Sequence, residues 1–207
     1  MIRGVIIEGM STAGKTSTFA AIKQVHSHLP NAERTTVAIS EHYSQVLHSH
    51  HGSLRKMARE DHLQFLGRHV DYLEQQAEWI HSLGNTKVSN GTFFLLERFH
   101  LNHRAAFQDD REIEKLEKRL TRLNALCVLL TLSEDIVESR YLDSRGEHWK
   151  AYVMQNHRTA AEACQTFLKE QERLRQGAKL SPIPTLEINT DGADWEGYAN
   201  RILSRSQ

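Results

Sequence analysis

The chain has 207 residues, a length that predicts one domain able to bury most of its apolar surface. Its 26 basic and 26 acidic residues cancel, which argues against nucleic acid polymers and membrane surfaces as partners, because those partners select an excess of positive charge. The sequence has no apolar run of about 18 residues, its predicted first strand leaves no room for a cleavable leader, and its only cysteines are Cys127 and Cys164, so we expect a cytoplasmic protein in a reducing compartment.

The first predicted element is a buried strand that leads into a loop of pattern G-x-x-x-x-G-K-[ST], and a helix follows from Lys15 towards His28. Gly9 and Gly14 permit backbone angles closed to other residues, so N–H groups of the loop can point at a polyphosphate beside the positive end of the helix. Lys15 would neutralise the outer phosphates, and the Thr16 hydroxyl would bind Mg²⁺. A glycine-rich turn without a ligand is the alternative. The predicted phosphate-binding residues are Gly9, Met10, Ser11, Thr12, Ala13, Gly14, Lys15, Thr16 and Ser17.

A second strand is predicted at 36–40, and Glu41 follows its carboxyl end, the edge at which open α/β sheets bind ligands. Residues 44–53 are polar and rich in histidine. No acidic or cysteine partner lies nearby at metal-ligand spacing, so this segment favours a loop over a metal site. A long helical pattern runs from 54 to 83, and Gly84-Asn85 is predicted to end it.

The third predicted strand, 93–96, delivers Glu97 and Arg98 to the same edge of the sheet. The remaining predicted elements are a helix at 110–124, an apolar strand at 126–132, a short helix at 135–141, a lid at about 140–149, a long helix at 147–176, a strand at 185–189 and a closing helix from Trp195. Because strands alternate with helices, the pattern predicts an α/β fold with a five-stranded parallel sheet flanked by helices.

Polar side chains thus meet at the carboxyl ends of three strands. A hydroxyl acceptor benefits from a positioned base, and Glu8 is our first candidate because it directly precedes Gly9; a carboxylate that merely ends the strand is the alternative. Glu97 is predicted to hold Mg²⁺ or orient the acceptor, and Arg98 to bring positive charge to the transferred group. A structural ion pair between Glu97 and Arg98 is the alternative.

Two further arginines, Arg140 and Arg145, lie in the charged segment after the fourth predicted strand. If this segment closes as a lid, their guanidinium groups would meet the charge that develops on the transferred group. Ordinary exposed arginines would give the same pattern.

Four segments together resemble the deoxynucleoside kinase and thymidylate kinase superfamily: Ile7-Glu8-Gly9, Ala13-Gly14-Lys15-Thr16, Leu96-Glu97-Arg98 and the arginine-bearing lid. The resemblance covers nearly the whole chain in element order and length. It implies a five-stranded parallel sheet, ATP or another nucleoside triphosphate with Mg²⁺, and transfer of the γ-phosphoryl group to a nucleoside or its monophosphate. It also implies Glu8 as catalytic base, Arg140 and Arg145 as lid arginines, and Gln64 as the residue that meets the nucleobase.

Departures from that family concern the acceptor. Phe99 replaces the serine of the Glu-Arg-Ser motif, and His103 stands where nucleoside kinases carry an acid. Asp71 stands where the family often has arginine, so we hypothesise that Asp71 and Arg104 have exchanged these acidic and basic roles. The predicted acceptor-binding residues are Glu41, Gln64, Asp71, Glu97, Arg98 and Arg104.

The sequence therefore predicts a kinase that acts on the sugar hydroxyl of a nucleoside. A thymidylate-type kinase is the alternative, but Ser40-Glu41-His42 replaces the Arg-Glu-Pro segment of such enzymes, which favours a neutral acceptor. A non-nucleoside alcohol remains open as acceptor, and so does a nucleotide-binding switch, although the Asn-Lys-x-Asp segment of GTPases does not occur. The predicted partners are a nucleotide donor and a small acceptor; the apolar stripes of the two long helices also allow a homodimer.

Overall fold

The computed structural model describes residues 1–50, 53–83, 91–108 and 111–206. Its elements in chain order are β1 (Ile2–Gly9), α1 (Lys15–Ser27), β2 (Thr35–Ile39), a 3₁₀ turn (Glu41–Tyr43), β3 (Leu47–His50), β4 (Ser53–Lys56), α2 (Arg59–Leu83), β5 (Thr92–Glu97), α3 (His100–Phe107), α4 (Glu112–Arg122), β6 (Ala125–Thr131), α5 (Glu134–Val137), a π-helical segment (Glu138–Asp143), α6 (Glu147–Met154), α7 (Ala160–Leu180), β7 (Thr185–Asn189) and α8 (Trp195–Arg205).

Five strands form one parallel sheet in the order β2-β5-β1-β6-β7. The central strand β1 is buried along its length, and its side chains alternate between the two faces of the sheet. Ile6 belongs to one hydrophobic core, whereas Val5 and Ile7 belong to the other. Such a strand must be covered on both sides, which is why Val5, Ile6 and Ile7 are apolar in succession at its centre.

Helices pack against both faces of the sheet. Helices α2, α3 and α4 pack on the face that includes Ile6, through the buried residues Leu66, Val70, Leu73, Leu101, Ile113, Leu116 and Leu120. Helices α1 and α8 cover the other face through Ile22, Ala199, Ile202 and Leu203. Helix α7 reaches both cores, with Phe167 in one and Leu174 in the other. The predicted α/β fold with a five-stranded parallel sheet flanked by helices is confirmed.

The segment after β2 differs from its prediction. Residues 47–50 pair antiparallel with 53–56, so the predicted loop and the first turn of the predicted helix are instead a small hairpin, β3-β4. Helix α2 begins only at Arg59. Hairpin pairing is a tertiary feature that a helical spacing of apolar residues does not reveal. The predicted stop at Gly84-Asn85 lies outside the described residues.

The long helix predicted at 147–176 is also two helices, α6 and α7. The break has a local cause, because the Thr159 side chain accepts a hydrogen bond from the Glu162 N–H and thereby caps a new helix start. The Glu162 carboxylate in turn accepts from the N–H of Arg158. No helix in the described part of the chain combines the length and apolar character needed to cross a bilayer.

Candidate active site

The loop between β1 and α1 has the backbone of a phosphate cradle. Gly9 and Gly14 have φ values of +149° and +89°, which side chains disfavour. A Cβ atom on Gly14 would also lie 2.3 Å from the ring of Trp195, and one on Gly9 would lie 2.8 Å from the Leu130 carbonyl oxygen. Only glycine fits at these two positions. Since Gly14 has no side chain to cap α1, the first amides of this helix are suited to an anion.

A cavity of about 630 Å³ opens over this loop. Six of the nine predicted phosphate-binding residues line it: Ser11, Thr12, Gly14, Lys15, Thr16 and Ser17. The Lys15 ammonium donates to the Met10 carbonyl at 3.0 Å, and the Ala13 carbonyl accepts from the Thr190 hydroxyl at 2.9 Å. Met10 and Ala13 therefore contribute backbone atoms that hold the loop in shape.

Burial and the nearby Arg98 guanidinium lower the pKa of Lys15 to about 7, while Glu41, Glu97 and Glu8 act in the opposite direction. Desolvation disfavours the charged ammonium, so this lysine gains from any anion brought close to it. An environment of this kind is expected for a group that binds phosphate. It also makes the charge of Lys15 sensitive to substitution of its acidic neighbours.

Glu97, at the end of β5, joins two parts of the site. Its Oε1 accepts from the Thr16 hydroxyl at 3.2 Å, and its Oε2 accepts from the backbone N–H of Glu41 at 3.2 Å. A hydroxyl and a carboxylate at this distance provide the oxygen ligands that Mg²⁺ prefers. Among the described residues there is no group of three or more His, Cys, Asp or Glu side chains that could hold a metal ion. The pair of Thr16 and Glu97 therefore fits an ion whose remaining ligands are phosphate and water.

Glu41 lies on the 3₁₀ turn after β2 and lines the cavity with a side chain that is 27% exposed. Its Oε2 lies 3.3 Å from Arg98 Nε and 3.9 Å from Lys15 Nζ. Arg98 has φ +53°, a left-handed turn at the end of β5, and its NH2 donates to the Ser11 hydroxyl at 3.0 Å. Carboxylate, guanidinium and ammonium thus converge on one edge of the phosphate loop.

Glu8 does not face the cavity. Its buried carboxylate accepts hydrogen bonds from the N–H groups of Phe99 and Leu101, both at 2.9 Å. Burial raises its pKa to about 7, against the lowering effect of those two hydrogen bonds. The prediction of Glu8 as the base facing an acceptor is therefore corrected: its side chain points under α3, because it shares the face of β1 that carries Ile6. It holds the start of α3 instead.

Three predicted acceptor-binding residues lie elsewhere. Gln64 is exposed on α2 and does not line the cavity. Asp71 accepts from Arg119 at 2.5 Å on the outer side of α2. Buried Arg104 binds Glu117 through two hydrogen bonds of 2.8 and 2.6 Å. Packing of α2, α3 and α4 thus gives Asp71 and Arg104 separate structural partners, and neither lines the cavity. These contacts do not support the hypothesis that the two residues exchanged acidic and basic roles at the acceptor.

Both predicted lid arginines line the cavity. Arg140, in the π-helical segment, donates to the carbonyls of Thr12 and Thr190, each at 3.4 Å, and lies over the ring of Trp195 at 5.7 Å. The guanidinium of Arg145 lies 4.9 Å from the ring of Trp149. Their contact with the transferred group stays a prediction.

The sequence singled out His103 but did not indicate the contacts that it and its neighbours make near the site. His103, at the position of the expected acid, is buried, and its Nδ1 lies 2.8 Å from Nδ1 of His62. His62 Nε2 donates to the Ser44 carbonyl at 2.9 Å, and the Ser44 hydroxyl donates to the Glu97 carbonyl. This chain of contacts supports the turn that carries Glu41. A one-dimensional pattern gave no signal for it.

Leucines and aromatic residues of the cavity wall were also missed: Leu47, Leu54, Tyr141, Trp149 and Tyr152. The available signal was the three-residue spacing of Trp149 and Tyr152 in a helical pattern that begins within the predicted lid.

No protein-family model matches this chain, and no curated protein matches it. Among solved structures it is similar to the YorR protein of Bacillus subtilis in complex with phosphorylated GDP, with a TM-score of 0.58 and 12% identity over 98% of this chain and 94% of that one. It is also similar to shikimate kinase from Bacteroides thetaiotaomicron, with a TM-score of 0.51 and 12% identity over 99% and 98% of the two chains. Thymidylate kinase from Candida albicans matches with a TM-score of 0.43 and 13% identity over 98% and 92%. The first two likenesses show that the chain has the fold of a P-loop kinase.

Proposed function

We propose that this protein is a kinase that uses Mg²⁺ and ATP, or another nucleoside triphosphate, to phosphorylate a hydroxyl group of a small acceptor. The single observation that carries the proposal is the convergence of the Glu41 carboxylate, Arg98 and Lys15 at one edge of a phosphate loop. The resemblance to the deoxynucleoside kinases favours a nucleoside sugar as the acceptor. A phosphate acceptor is already ionised and needs no base, whereas an alcohol does.

Binding of the donor would use the loop amides, the start of α1 and Lys15. Thr16 and Glu97 would hold Mg²⁺, which supplies charge neutralisation between the phosphates when bound. Arg98 and the two lid arginines would add positive charge at the transferred group. Each of these groups is held by the fold before the substrates arrive, which lowers the cost of arranging them during the reaction.

In the transfer step, the acceptor oxygen forms a bond to the γ-phosphorus while the bond from that phosphorus to the β,γ-bridging oxygen breaks. The acceptor proton passes to the Glu41 carboxylate, and the nucleoside diphosphate leaves. The Glu41 carboxylate lies beside the Arg98 guanidinium, and the Glu41 backbone N–H donates to the Glu97 carboxylate, so the base is held close to the position from which it would accept the proton.

The test is a transfer assay with ATP labelled in the γ-phosphate, Mg²⁺, and a panel of nucleosides, nucleoside monophosphates and small alcohols. We expect labelled product with at least one hydroxyl acceptor, and we expect Lys15→Ala to reduce its formation by at least roughly a hundredfold. Lys23→Ala is the matched control, since Lys23 lies on the exposed side of α1, outside this cavity. Product from monophosphates alone, or full activity in Lys15→Ala, would contradict the proposal.

A further inference from the structure

Part of the cavity wall is apolar, although the phosphate loop beneath it is polar. Large hydrophobic side chains are commonly exposed singly, whereas several around one cavity indicate a binding surface. Leu47, Leu54 and Tyr152 are among the exposed large hydrophobic residues of the described chain, and all three line this cavity. Leu54 is 54% exposed and Tyr152 is 43% exposed. These residues have surface available for a ligand.

The hairpin presents its two leucines on one side. In its register Leu47 pairs with Lys56 and Ser49 pairs with Leu54, so Leu47 and Leu54 lie on the same face. His48 lies on the opposite face, where its ring packs edge-on against Phe65 at 5.9 Å. The contact with Phe65 joins the hairpin to α2 and leaves the leucine face to the cavity.

The aromatic residues that line the cavity are connected to the hydrophobic core by a hydrogen bond and by ring packing. Trp149 Nε1 donates to the Tyr141 carbonyl at 2.5 Å, and the Tyr141 ring packs against Phe167 at 4.9 Å. The Trp149 ring lies 5.7 Å from that of Tyr152 at an interplanar angle of 34°. This arrangement holds Tyr152 at the cavity from the lid side without using its own ring for core packing.

Charge is distributed unevenly around the same cavity. Its basic lining residues are Lys15, Arg98, Arg140 and Arg145, from the phosphate loop, the end of β5 and the lid. Leu47 and Leu54 are the described hairpin residues that line it. Lys56 shares their face by register, but its ammonium donates to the Ala106 carbonyl at 2.6 Å and lies 4.6 Å from the Phe107 ring, so it is engaged with α3. Gln45, just before the hairpin, also lines the cavity and offers a neutral hydrogen-bonding group.

We propose that Leu47, Leu54 and Tyr152 form the acceptor subsite, which takes an uncharged alcohol that bears a flat, largely apolar ring. This inference rests on the proposed function, since it places the ring so that the hydroxyl group reaches Glu41. It replaces the expected nucleobase contact at Gln64, which lies outside the cavity. Flat rings pack well against a tyrosine face and leucine methyl groups.

The test compares Michaelis constants for acceptor and ATP in Tyr152→Ala and Leu54→Ala. Tyr72→Ala and Leu180→Ala are matched controls, because Tyr72 is 46% exposed, Leu180 is 63% exposed, and neither lines the cavity. We expect the acceptor KM to rise roughly tenfold in Tyr152→Ala, with the ATP KM and the control variants within about twofold of wild type. A larger rise in the ATP KM would place the donor base on these residues and overturn the proposal.

The acceptor series consists of thymidine and deoxyadenosine, 2-deoxyribose as the ring-free alcohol, and shikimate as an anionic, non-aromatic alcohol. We expect both nucleosides to have a KM at least roughly tenfold lower than the other two. Equal use of 2-deoxyribose, or preference for shikimate, would overturn the proposal while leaving a kinase.

Equilibrium dialysis separates the two proposals, because it does not require turnover. Binding of a nucleoside in preference to 2-deoxyribose, lost in Tyr152→Ala and kept in Tyr72→Ala, would support the subsite even if no acceptor is phosphorylated. The absence of any nucleoside binding by the wild-type protein would overturn it.

Discussion

Glu8 and Glu41 show how one residue type takes two roles. Both follow or end a strand at the same edge of the sheet, but Glu8 is buried against backbone amides and Glu41 faces the cavity. The sequence identified both carboxylates. Whether Glu8 can reach the acceptor depends on which face of β1 carries its side chain. Ile6 and Ile7 belong to opposite cores, so Glu8 lies on the face of Ile6, under α3.

The buried histidine pair gives a prediction about pH. His62 Nε2 donates its hydrogen to the Ser44 carbonyl, so His62 Nδ1 accepts a hydrogen bond from His103 Nδ1. A second proton on His62 would place its Nδ1–H against the Nδ1–H of His103, which is unfavourable. Burial, followed by the nearby His103 and His48, lowers the pKa of His62 to about 4. The unfolded chain takes up this proton first, near a pKa of about 6.5. The contribution of His62 to folding stability is therefore complete above about pH 6.5 and is lost as the pH falls towards 4.

Urea unfolding between pH 7.5 and 4.5 measures this loss. We expect His62 to contribute up to about 1.4 kcal/mol per pH unit within the window, and His62→Asn to remove that contribution. His28→Asn is the control, since His28 is exposed immediately after the end of α1. A pH dependence in His62→Asn equal to that of wild type would contradict the assignment.

At the scale of elements, most helices and strands could be predicted from periodicity, because the two cores impose regular apolar spacing on them. The hairpin and the break between α6 and α7 could not be predicted in that way. The hairpin depends on pairing between short, polar strands, whereas the break depends on one capping pair, Thr159 and Glu162. The second signal was present in the sequence as a threonine followed three residues later by glutamate.

The ion pair between α3 and α4 gives a prediction about stability. Arg104 and Glu117 are buried and doubly hydrogen-bonded, so Arg104→Ala leaves a carboxylate without its main partner. We expect a loss of about 3–5 kcal/mol in the free energy of unfolding, without a specific rise in the acceptor KM. Arg122→Ala, at the exposed end of α4, should change stability by less than about 0.5 kcal/mol.

The measurement for this pair is urea unfolding together with acceptor kinetics at a temperature where the variant is folded. A wild-type stability combined with a tenfold rise in acceptor KM would show that Arg104 binds the acceptor after all.

At the scale of the molecule, the order of strands and helices and the phosphate loop were predictable from sequence. The acceptor side was not, because it is built from side chains brought together by α2, the hairpin and the lid. Gln64 illustrates the difficulty, since its place on a helix was predicted but the direction of its side chain was not. A single domain, a homodimer and a cytoplasmic location stay predictions.

In the proposed mechanism Glu41 takes the acceptor proton, whereas Glu8 only supports α3. The direct measurement is kcat for the best hydroxyl acceptor and the Kd for ATP in Glu41→Gln and Glu8→Gln. We expect kcat to fall by at least roughly a hundredfold in Glu41→Gln. The Kd should change much less, because the phosphates of bound ATP replace Glu41 in stabilising the charge of Lys15. We expect Glu8→Gln to keep most activity because the amide oxygen still accepts from α3. A collapse of kcat in Glu8→Gln with near-normal turnover in Glu41→Gln would contradict it.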